Sequence, residues 1–287
     1  MYKQRIEKAK ILLEALPYIK KFHQKQIIIK YGGSVMTDTK LKNFFAEDVV
    51  LLKYVGLHPI IVHGGGKEIT KWINKVGKEA VFIDGLRFTD SETMEITEMV
   101  LSGKINSEVV SLINSFGGKA VGLSGKDAQL FTAVKMKSEK DQDLGLVGSI
   151  AKTDVSILNI LCEKGYIPVI SSVGINEEGE SLNLNADHVA AEIAKALNVL
   201  KLIYMTDVQG IFLNNELIPT LNLKEANELL KHPDIKGGMI PKLKCSIDAI
   251  ENNVQNVHII NGSIEHSVLL EIFTDFGIGT MISKKEK

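Results

Sequence analysis

The stretch IIIKYGGS, residues 27–34, joins a strand-like apolar run to a glycine turn. Two more glycine turns occur: HGGGK at residues 63–67, after the apolar run PIIV, and GGMIPK at residues 237–242. Glycines between a strand and a helix let backbone N–H groups approach an anion, and the helix start favours negative charge. Two of the turns carry a lysine, Lys30 or Lys242, placed to reach a phosphate. The three turns therefore predict phosphoryl chemistry.

Short apolar runs alternate with helical patterns along the whole chain. The predicted strands are residues 26–30, 60–63, 120–123, 167–171, 202–206 and 257–261. Near-continuous apolar runs suit strands that are buried on both faces, which predicts an α/β fold with a mainly parallel central sheet covered by helices on both sides. Ligands of such sheets bind at the carboxyl ends of the strands, where we expect all three glycine turns.

Three polar segments interrupt this alternation. Residues 135–148 predict a solvent-facing hairpin or loop, and Asn214-Asn215 between apolar residues predicts a β-hairpin turn. The polar loop 176–179 and the segment 183–187 are the best candidates for a junction between two halves of the chain.

Composition narrows the class of protein. A chain of 287 residues with 45% apolar residues can form one large domain or two smaller ones. The net charge of −1 gives no basic field for nucleic acid or an anionic membrane, and no apolar stretch reaches the roughly 18 residues of a membrane span. The only cysteines, Cys162 and Cys245, lack a CxxC spacing, so neither a disulfide framework nor a zinc site is expected. These features predict a cytoplasmic protein.

The first 25 residues form a separate segment. Ala9, Leu12, Leu13 and Leu16 make an apolar stripe at helical spacing, which Pro17 is expected to interrupt. Such a helix either covers an edge of the core or serves interaction and regulation. The pattern alone does not separate these alternatives.

Absent motifs remove the P-loop class of anion-binding enzymes and argue against two others. The chain contains neither the G-x-x-x-x-G-K-[ST] of P-loop NTPases nor the G-x-G-x-x-G of dinucleotide-binding proteins. HGGG resembles the oxyanion-hole turn of esterases, but no G-x-S-x-G nucleophile elbow accompanies it. What is left is a kinase without a P-loop, in which lysines and backbone amides hold the phosphates.

Six side chains are candidates for this chemistry. Phosphoryl transfer needs positioning and charge neutralisation, which Lys30 and Lys242 can supply beside their glycines. Asp187 lies at a predicted helix start. Its local role there is that of an N-cap or a first-turn carboxylate, and its functional role would be to orient both lysines. Arg87 can grip a carboxylate with two parallel hydrogen bonds, and Asn183, like Asn185, offers an amide donor. Together they indicate a small acceptor that bears a carboxylate.

Six motifs in this order, KYGGS, HGGG, GLRFTD, NLNAD, TDVQG and GGMIPK, resemble the amino-acid kinase family from about residue 13 to residue 281. The resemblance implies an open αβα sandwich. It also implies transfer of the γ-phosphoryl group of ATP to the side-chain carboxylate of N-acetyl-L-glutamate in arginine biosynthesis, with Mg²⁺ held mainly by the phosphates and no protein metal site. The implied organisation is a regulatory and oligomerisation helix (1–25), an acetylglutamate-binding and dimerisation half (26–182) and a nucleotide-binding half (183–287).

The resemblance also implies roles for individual residues. Lys30 and Lys242 would stabilise the transferring phosphoryl group, and Asp187 would organise them. The residues implied to bind acetylglutamate are Gly65 and Gly66 through backbone amides, Arg87, Asn183 and Asn185. The residues implied to bind the phosphates or the nucleotide are Gly32, Gly33, Thr206, Asp207, Gly210, Ile211, Phe212, Lys236, Gly238 and Met239.

Both ends of the chain resemble the arginine-inhibited branch of this family. The extra helix ending in LEALPYI, residues 13–19, and a closing segment over residues 265–281 carry this likeness. It implies a hexamer built as a trimer of dimers, inhibition by arginine, and room for a nitrogen-regulatory partner. The candidate effector contacts are Tyr18, Lys201, His266, Glu271, Gly277 and Gly279. For His266, a simple helix-cap role is the alternative.

Two rival functions stay open at this point. One is another kinase of the same family that acts on aspartate, glutamate, carbamate or UMP. The other is a non-catalytic arginine-sensing protein, which predicts loss of one of the two lysines or of Asp187. All three residues are present.

Overall fold

A computed structural model describes residues 2–138, 140–274 and 277–284. The helices are α1 (Tyr2–Phe22), α2 (Thr39–Tyr54), α3 (Gly66–Lys75), α4 (Ser91–Glu98), α5 (Asn106–Ser115), α6 (Ser156–Glu163), α7 (Ala186–Ala196), α8 (Leu223–Leu229), α9 (Met239–Glu251) and α10 (Ser267–Ile272). A π-helical segment, Met99–Ile105, links α4 to α5, and short 3₁₀ helices span Gly33–Met36 and Asp127–Gln129.

The strands are β1 (Gln26–Tyr31), β2 (His58–His63), β3 (Phe82–Ile83), β4 (Leu86–Arg87), β5 (Ala120–Leu123), β6 (Phe131–Lys137), β7 (Asp143–Thr153), β8 (Ile167–Ser171), β9 (Val173–Ile175), β10 (Ser181–Leu184), β11 (Lys201–Thr206), β12 (Phe212–Leu213), β13 (Glu216–Leu217), β14 (Thr220–Asn222), β15 (Asn256–Asn261) and β16 (Thr280–Ser283).

An eight-stranded sheet with the order β14-β16-β15-β11-β1-β2-β8-β5 forms the centre of the molecule. The strands from β15 to β5 are parallel, whereas β16 runs antiparallel to β15. All six predicted strands belong to this sheet, with ends within two residues of the prediction. The prediction of a mainly parallel central sheet is therefore confirmed.

Helices cover both faces of this sheet, as the apolar runs predicted. Ile28 of β1 packs into a cluster with Val189 of α7 and Leu243 of α9. Its neighbours Ile27 and Ile29 point to the other face and pack in a second cluster with residues of α2 and α5. Three consecutive isoleucines are fully buried because successive strand side chains face opposite layers. The result is an αβα sandwich.

A small closed barrel of β10, β7, β6 and β9 packs beside the main sheet. The predicted hairpin at 135–148 exists, but its strands β6 and β7 extend well beyond that range. The hairpin was predicted to face solvent, and this holds for Lys135 and Lys137, which are exposed. It is wrong for Leu144 and Val147, which are buried.

The predicted boundary between residues 182 and 183 falls within β10 of this barrel. The loop 176–179 connects β9 to β10, and β1 pairs with both β2 and β11, so the central sheet continues across both proposed halves. The hairpin at Asn214-Asn215 is confirmed, since both residues have positive φ between the paired strands β12 and β13.

Helix α1 differs from its prediction in two ways. It runs through Pro17 without a break. A proline lacks a backbone N–H and so removes one intrahelical hydrogen bond, and the rest of the helix is retained. Its apolar stripe does not cover the core: Leu12 is 73% exposed, Leu13 65% and Leu16 40%. The carboxyl end of α1 is anchored through the buried ring of Phe22, and Tyr18 packs against the same cluster. Among the described helices, α1 included, none is long and apolar enough to cross a membrane.

Candidate active site

The turns that follow β1 and β2 open onto one cavity of about 810 Å³ at the carboxyl edge of the sheet. The predicted residues that line it are Lys30, Gly32, Gly33, Gly65, Gly66, Arg87, Asn183, Asn185 and Asp187. The third glycine turn was also expected at the end of a strand, and this prediction is wrong. The turn lies in the connection from α8 to α9 and directly precedes α9. Lys242 of this turn reaches the carboxylate of Asp187.

Asp187 holds two lysines from different elements. Lys30 at the end of β1 places its Nζ 3.0 Å from Asp187 Oδ1, and Lys242 of α9 donates to Oδ2 at 2.7 Å. Burial alone raises the pKa of Asp187, but the two ammonium groups outweigh it and hold the pKa below its usual value. The buried carboxylate is therefore ionised and fixes two positive charges at the mouth of the cavity.

The first turn of α7 positions this carboxylate. Asn185 is the N-cap, and its Oδ1 accepts a hydrogen bond from the backbone N–H of Asp187 at 2.8 Å. Of the local roles predicted for Asp187, the first-turn position is thus confirmed and the N-cap position is wrong. The predicted role of Asn185 was that of an amide donor, whereas its oxygen serves the helix as an acceptor.

Lys30 folds back over its own glycine turn. A Cβ at Gly32 would lie 2.5 Å from Lys30 Nζ, and a Cβ at Gly33, where φ is +73°, would lie 2.4 Å from Asp207 Oδ1. The KYGG sequence therefore brings a lysine and bare backbone to the same edge of the cavity.

Arg87 presents a buried guanidinium to the cavity. Its Nη2 donates to the carbonyl of Gly66 and to Thr70 Oγ1, both at 2.9 Å, and its guanidinium lies 4.7 Å from the centroid of the Phe82 ring. Its Nη1 is buried and has no hydrogen-bond partner among the described residues. A buried donor without a partner is costly, so Nη1 fits an anionic oxygen of a ligand. Nearby, Asn183 donates from Nδ2 to Thr89 Oγ1 at 3.2 Å.

Of the residues predicted for the phosphates and the nucleotide, only Gly32 and Gly33 line this cavity, and the others lie outside it. Thr206 ends β11, next to β1 on the same edge of the sheet, and Asp207 follows it. The backbone N–H of Ile211 donates to Thr280 Oγ1 at 2.8 Å, its carbonyl accepts from the N–H of Ile218 at 2.9 Å, and its side chain is fully buried, so Ile211 is already engaged within the protein. The other predicted contacts in this segment are Gly210, Phe212, Lys236, Gly238 and Met239.

Three of the predicted effector residues meet at the opposite edge of the sheet, around a histidine that the sequence reasoning missed. Lys201 Nζ is 3.1 Å from His258 Nε2, and His258 Nδ1 is 2.5 Å from Glu271 Oε1. A Cβ at Gly277 would lie 2.9 Å from both carboxylate oxygens of Glu271. Burial lowers the pKa of Lys201 to about 8, against the attraction of Glu271. Glu271, predicted to meet a guanidinium, is therefore already engaged.

The other effector candidates lie on separate elements. His266 is the N-cap of α10 with a left-handed backbone, and its Nδ1 lies 2.6 Å from Asp48 Oδ1, so the helix-cap alternative describes its position. Tyr18 is half-buried on α1, and a Cβ at Gly279 would collide with the carbonyl of Ile259 at 2.1 Å. Asp275 and Phe276, inside the closing segment 265–281, lie outside the described residues.

This fold and this site define a class. Residues 25–261 match the Amino acid kinase family, and the chain belongs to that family. The resemblance predicted from the six motifs is therefore confirmed, as is the fold.

Within the family, the chain is similar to the acetylglutamate kinase of Kosmotoga olearia, with 53% identity over 280 residues that cover 98% of this chain and 99% of that protein. It is also similar to N-acetylglutamate synthase from Neisseria gonorrhoeae complexed with coenzyme A and N-acetyl-glutamate, with a TM-score of 0.87 and 26% identity over 97% of this chain. The same synthase complexed with coenzyme A and L-arginine gives a TM-score of 0.83 with 25% identity over 96% of this chain. This chain spans only 64% and 65% of those two structures' chains.

Proposed function

We propose that this protein transfers the γ-phosphoryl group of ATP to the side-chain carboxylate of N-acetyl-L-glutamate, giving N-acetyl-L-glutamyl 5-phosphate for arginine biosynthesis. The observation that carries the proposal is the buried Asp187 that holds Lys30 and Lys242 beside a cavity with an unsatisfied guanidinium donor. Similarity to an acetylglutamate kinase over nearly the full length of both chains supports this acceptor.

The chemistry needs no proton transfer from the protein. An oxygen of the acceptor carboxylate attacks the γ-phosphorus, and the bond from that phosphorus to the β,γ-bridging oxygen breaks, with its electron pair kept by ADP. Negative charge spreads over the transferring group, and Lys30 and Lys242 stabilise it as fixed positive charges. Asp187 positions both lysines through its ion pairs.

Magnesium enters with the nucleotide. Among the described residues, no group of three or more His, Cys, Asp or Glu side chains is able to hold a metal ion, and Asp187 is occupied by the two lysines. Mg²⁺ prefers phosphate oxygens and water, so the β- and γ-phosphates of ATP suffice as its ligands. When bound, the ion would supply positive charge on the nucleotide side of the site.

The acceptor lies in the cavity in this proposal. Arg87 and Asn183, with Asn185 nearby, hold its α-carboxylate and neighbouring groups, and the backbone amides of Gly65 and Gly66 contact its reacting end. The phosphates lie over Gly32 and Gly33, and the nucleotide extends along residues 206–212 and 236–239. The half 26–182 then serves the acceptor and the half 183–287 the nucleotide.

We also propose arginine inhibition, with Tyr18, Lys201, His266, Glu271, Gly277 and Gly279 as effector contacts. Similarity to a synthase whose structure contains L-arginine supports this extension. The exposed leucines of α1 support a role of this helix in joining dimers into a hexamer.

A substrate panel tests the function directly. Purified protein is given ATP and Mg²⁺ with N-acetylglutamate, glutamate, aspartate, carbamate or UMP, and ADP release is measured, with and without arginine. We expect N-acetylglutamate to be the preferred acceptor and its acyl phosphate to be trapped by hydroxylamine. Faster turnover of aspartate or UMP would overturn the proposal, and absence of turnover with every acceptor would favour the sensing alternative.

A further inference from the structure

A fully buried histidine lies directly beneath the HGGG turn. His63 ends β2, and its ring Nδ1 is 3.1 Å from the carbonyl oxygen of Gly64, while its Nε2 is 3.0 Å from Nδ2 of Asn106. Asn106 is also buried, at the first position of α5. Neither side chain has a role in the mechanism above.

The surroundings of Asn106 decide which ring nitrogen of His63 carries the proton. Asn106 Nδ2 also donates to the carbonyl of Val169 at 2.9 Å. A carbonyl only accepts, so the atom that faces it must be the amide nitrogen, and the same nitrogen donates to His63 Nε2. His63 Nε2 is therefore unprotonated, and Nδ1–H donates to the carbonyl of Gly64. Burial lowers the pKa of His63 to about 4, in agreement with a neutral ring.

This hydrogen bond fixes the orientation of the next peptide group. No described peptide bond is cis, and in a planar trans peptide the C=O of one residue and the N–H of the next point in opposite directions. The carbonyl of Gly64 points at the buried imidazole, so the N–H of Gly65 points away from it. Gly64, Gly65 and Gly66 all line the cavity, which is the open side of this turn.

The π-helical segment Met99–Ile105 packs against the same turn. A Cβ at Gly65 would lie 2.3 Å from Ile105 Cδ1 and 2.7 Å from Leu101 Cδ2, and Ser102 Oγ is 2.9 Å from Ser171 Oγ at the end of β8. The wider turn of a π-helix is a recurrent feature of functional sites. In this protein the π-helical segment places the side chain of Ile105 against Gly65, and it places the next residue, Asn106, against His63.

We infer that His63, held by Asn106 as the neutral Nδ1–H tautomer, is a positioning residue that aims the backbone N–H of Gly65 at the anionic end of the acceptor. This inference rests on the proposed function for the identity of the acceptor. It adds two buried side chains to the site and explains why a polar residue ends an apolar strand.

Two substitutions of His63 separate its two hydrogen bonds. In His63→Asn, the side-chain amide takes the place of Nδ1 and still donates to Gly64, whereas in His63→Gln the amide takes the place of Nε2 and that donor is lost. We expect His63→Gln to raise the KM for N-acetylglutamate about tenfold or more, because the N–H of Gly65 is no longer held in the orientation that contacts the acceptor. The KM for ATP should be unchanged. His63→Asn should lie closer to the wild type. Equal losses in both variants that follow their melting temperatures would overturn the inference.

Asn106→Ala and Asn114→Ala form a matched pair on α5. Asn114 also bonds the backbone of β5, accepting from Ala120 N at 2.6 Å, but its hydrogen bonds go to Ala120 and not to His63. Both variants should lose stability, and only Asn106→Ala should raise the acceptor KM. An acceptor KM raised equally by both would contradict the positioning role.

Histidine NMR tests the tautomer without any substrate. In ¹⁵N-histidine-labelled full-length protein, the correlation pattern of His63 should show a neutral ring with the proton on Nδ1 at pH 6 to 8, assigned by its loss in His63→Asn. A proton on Nε2, or a charged ring, would overturn the inference. This measurement needs no turnover, so it tests the tautomer of His63 even if the substrate panel finds another acceptor. In that case the KM for that acceptor would be measured in the variants.

Discussion

At the scale of single residues, the site depends on charges that the fold brings together and then buries. Asp187 is only 5% exposed, and its carboxylate meets Lys30 from β1 and Lys242 from α9. Arg87 is 8% exposed and leaves one nitrogen without a partner among the described residues. Charges held this way act strongly, because they need no reorganisation when negative charge develops on a ligand.

Replacing either lysine should slow the chemical step. We expect Lys30→Ala and Lys242→Ala each to lower kcat by about 10²- to 10³-fold, the effect of losing one preorganised electrostatic contact. Coupled measurement of ADP release gives kcat. Lys164→Ala, at an exposed lysine that ends α6, is the control and should match the wild type. Near-normal turnover in both site variants would remove the lysines from their proposed roles.

Replacing Arg87 should mainly affect the acceptor. We expect Arg87→Ala to raise the KM for N-acetylglutamate by about 10- to 100-fold, since a charge-assisted hydrogen bond is lost. Arg87→Lys should recover little, because one ammonium group cannot replace both the Nη2 bonds to Gly66 and Thr70 and the Nη1 donor to the ligand. Steady-state kinetics at saturating ATP measures this. An unchanged acceptor KM in Arg87→Ala would show that Arg87 only supports the β3–β4 hairpin.

At the scale of elements, a buried carboxylate joins α2 to the start of α10. Asp48 of α2 is 1% exposed and lies 2.6 Å from His266, the N-cap of α10. Burial raises the pKa of Asp48 to about 6, although His266 and two backbone amides of α10 lower it in part. The connection between these helices is therefore sensitive to pH.

The sign of this pH dependence follows from linkage. The folded pKa of about 6 lies above the value of about 3.9 in unfolded chains, so the folded protein binds the additional proton between these pH values. This group thus destabilises the fold progressively as pH rises from about 4 to 6, and fully above 6. We expect the stability of Asp48→Asn relative to the wild type to be about 2 to 3 kcal/mol more favourable at pH 8 than at pH 4. Urea unfolding at both pH values measures the difference in the free energy of unfolding between the two proteins. The same difference at pH 4 and pH 8 would contradict the raised pKa of Asp48.

At the scale of the whole molecule, helix α1 leaves its apolar stripe without a partner within the described chain. Leu12 and Leu13 are more than half exposed, and exposed apolar stripes of this kind mark interfaces. The other end of α1 enters the core, where the ring of Phe22 lies 5.4 Å from Lys201 Nζ. The helix therefore connects a free surface to the predicted effector region.

Charges on this stripe should break up the oligomer. If the proposed hexamer and arginine inhibition hold, we expect Leu12→Glu combined with Leu13→Glu to reduce the hexamer to dimers and to weaken the inhibition, while Phe22 stays in place. Deleting residues 1–25 would be a poorer test, because it removes Phe22 from the core. Light scattering gives the mass, and Leu51→Glu, at an exposed leucine of α2, is the control. An unchanged mass together with unchanged inhibition would show that α1 has neither role.

The sequence by itself determined the layers of this protein and the chemical type of its site. Apolar runs such as Ile27-Ile28-Ile29 are buried on both faces of the sheet, and Gly33 after β1 takes a positive φ that other residues resist, so both features are local. Only the tertiary structure decided which charges meet. The pairing of Asp187 with two lysines, the engagement of Glu271 by His258, and the support of Gly64 by His63 and Asn106 join segments far apart in the chain. Such contacts depend on packing distance, which no local pattern of residues encodes.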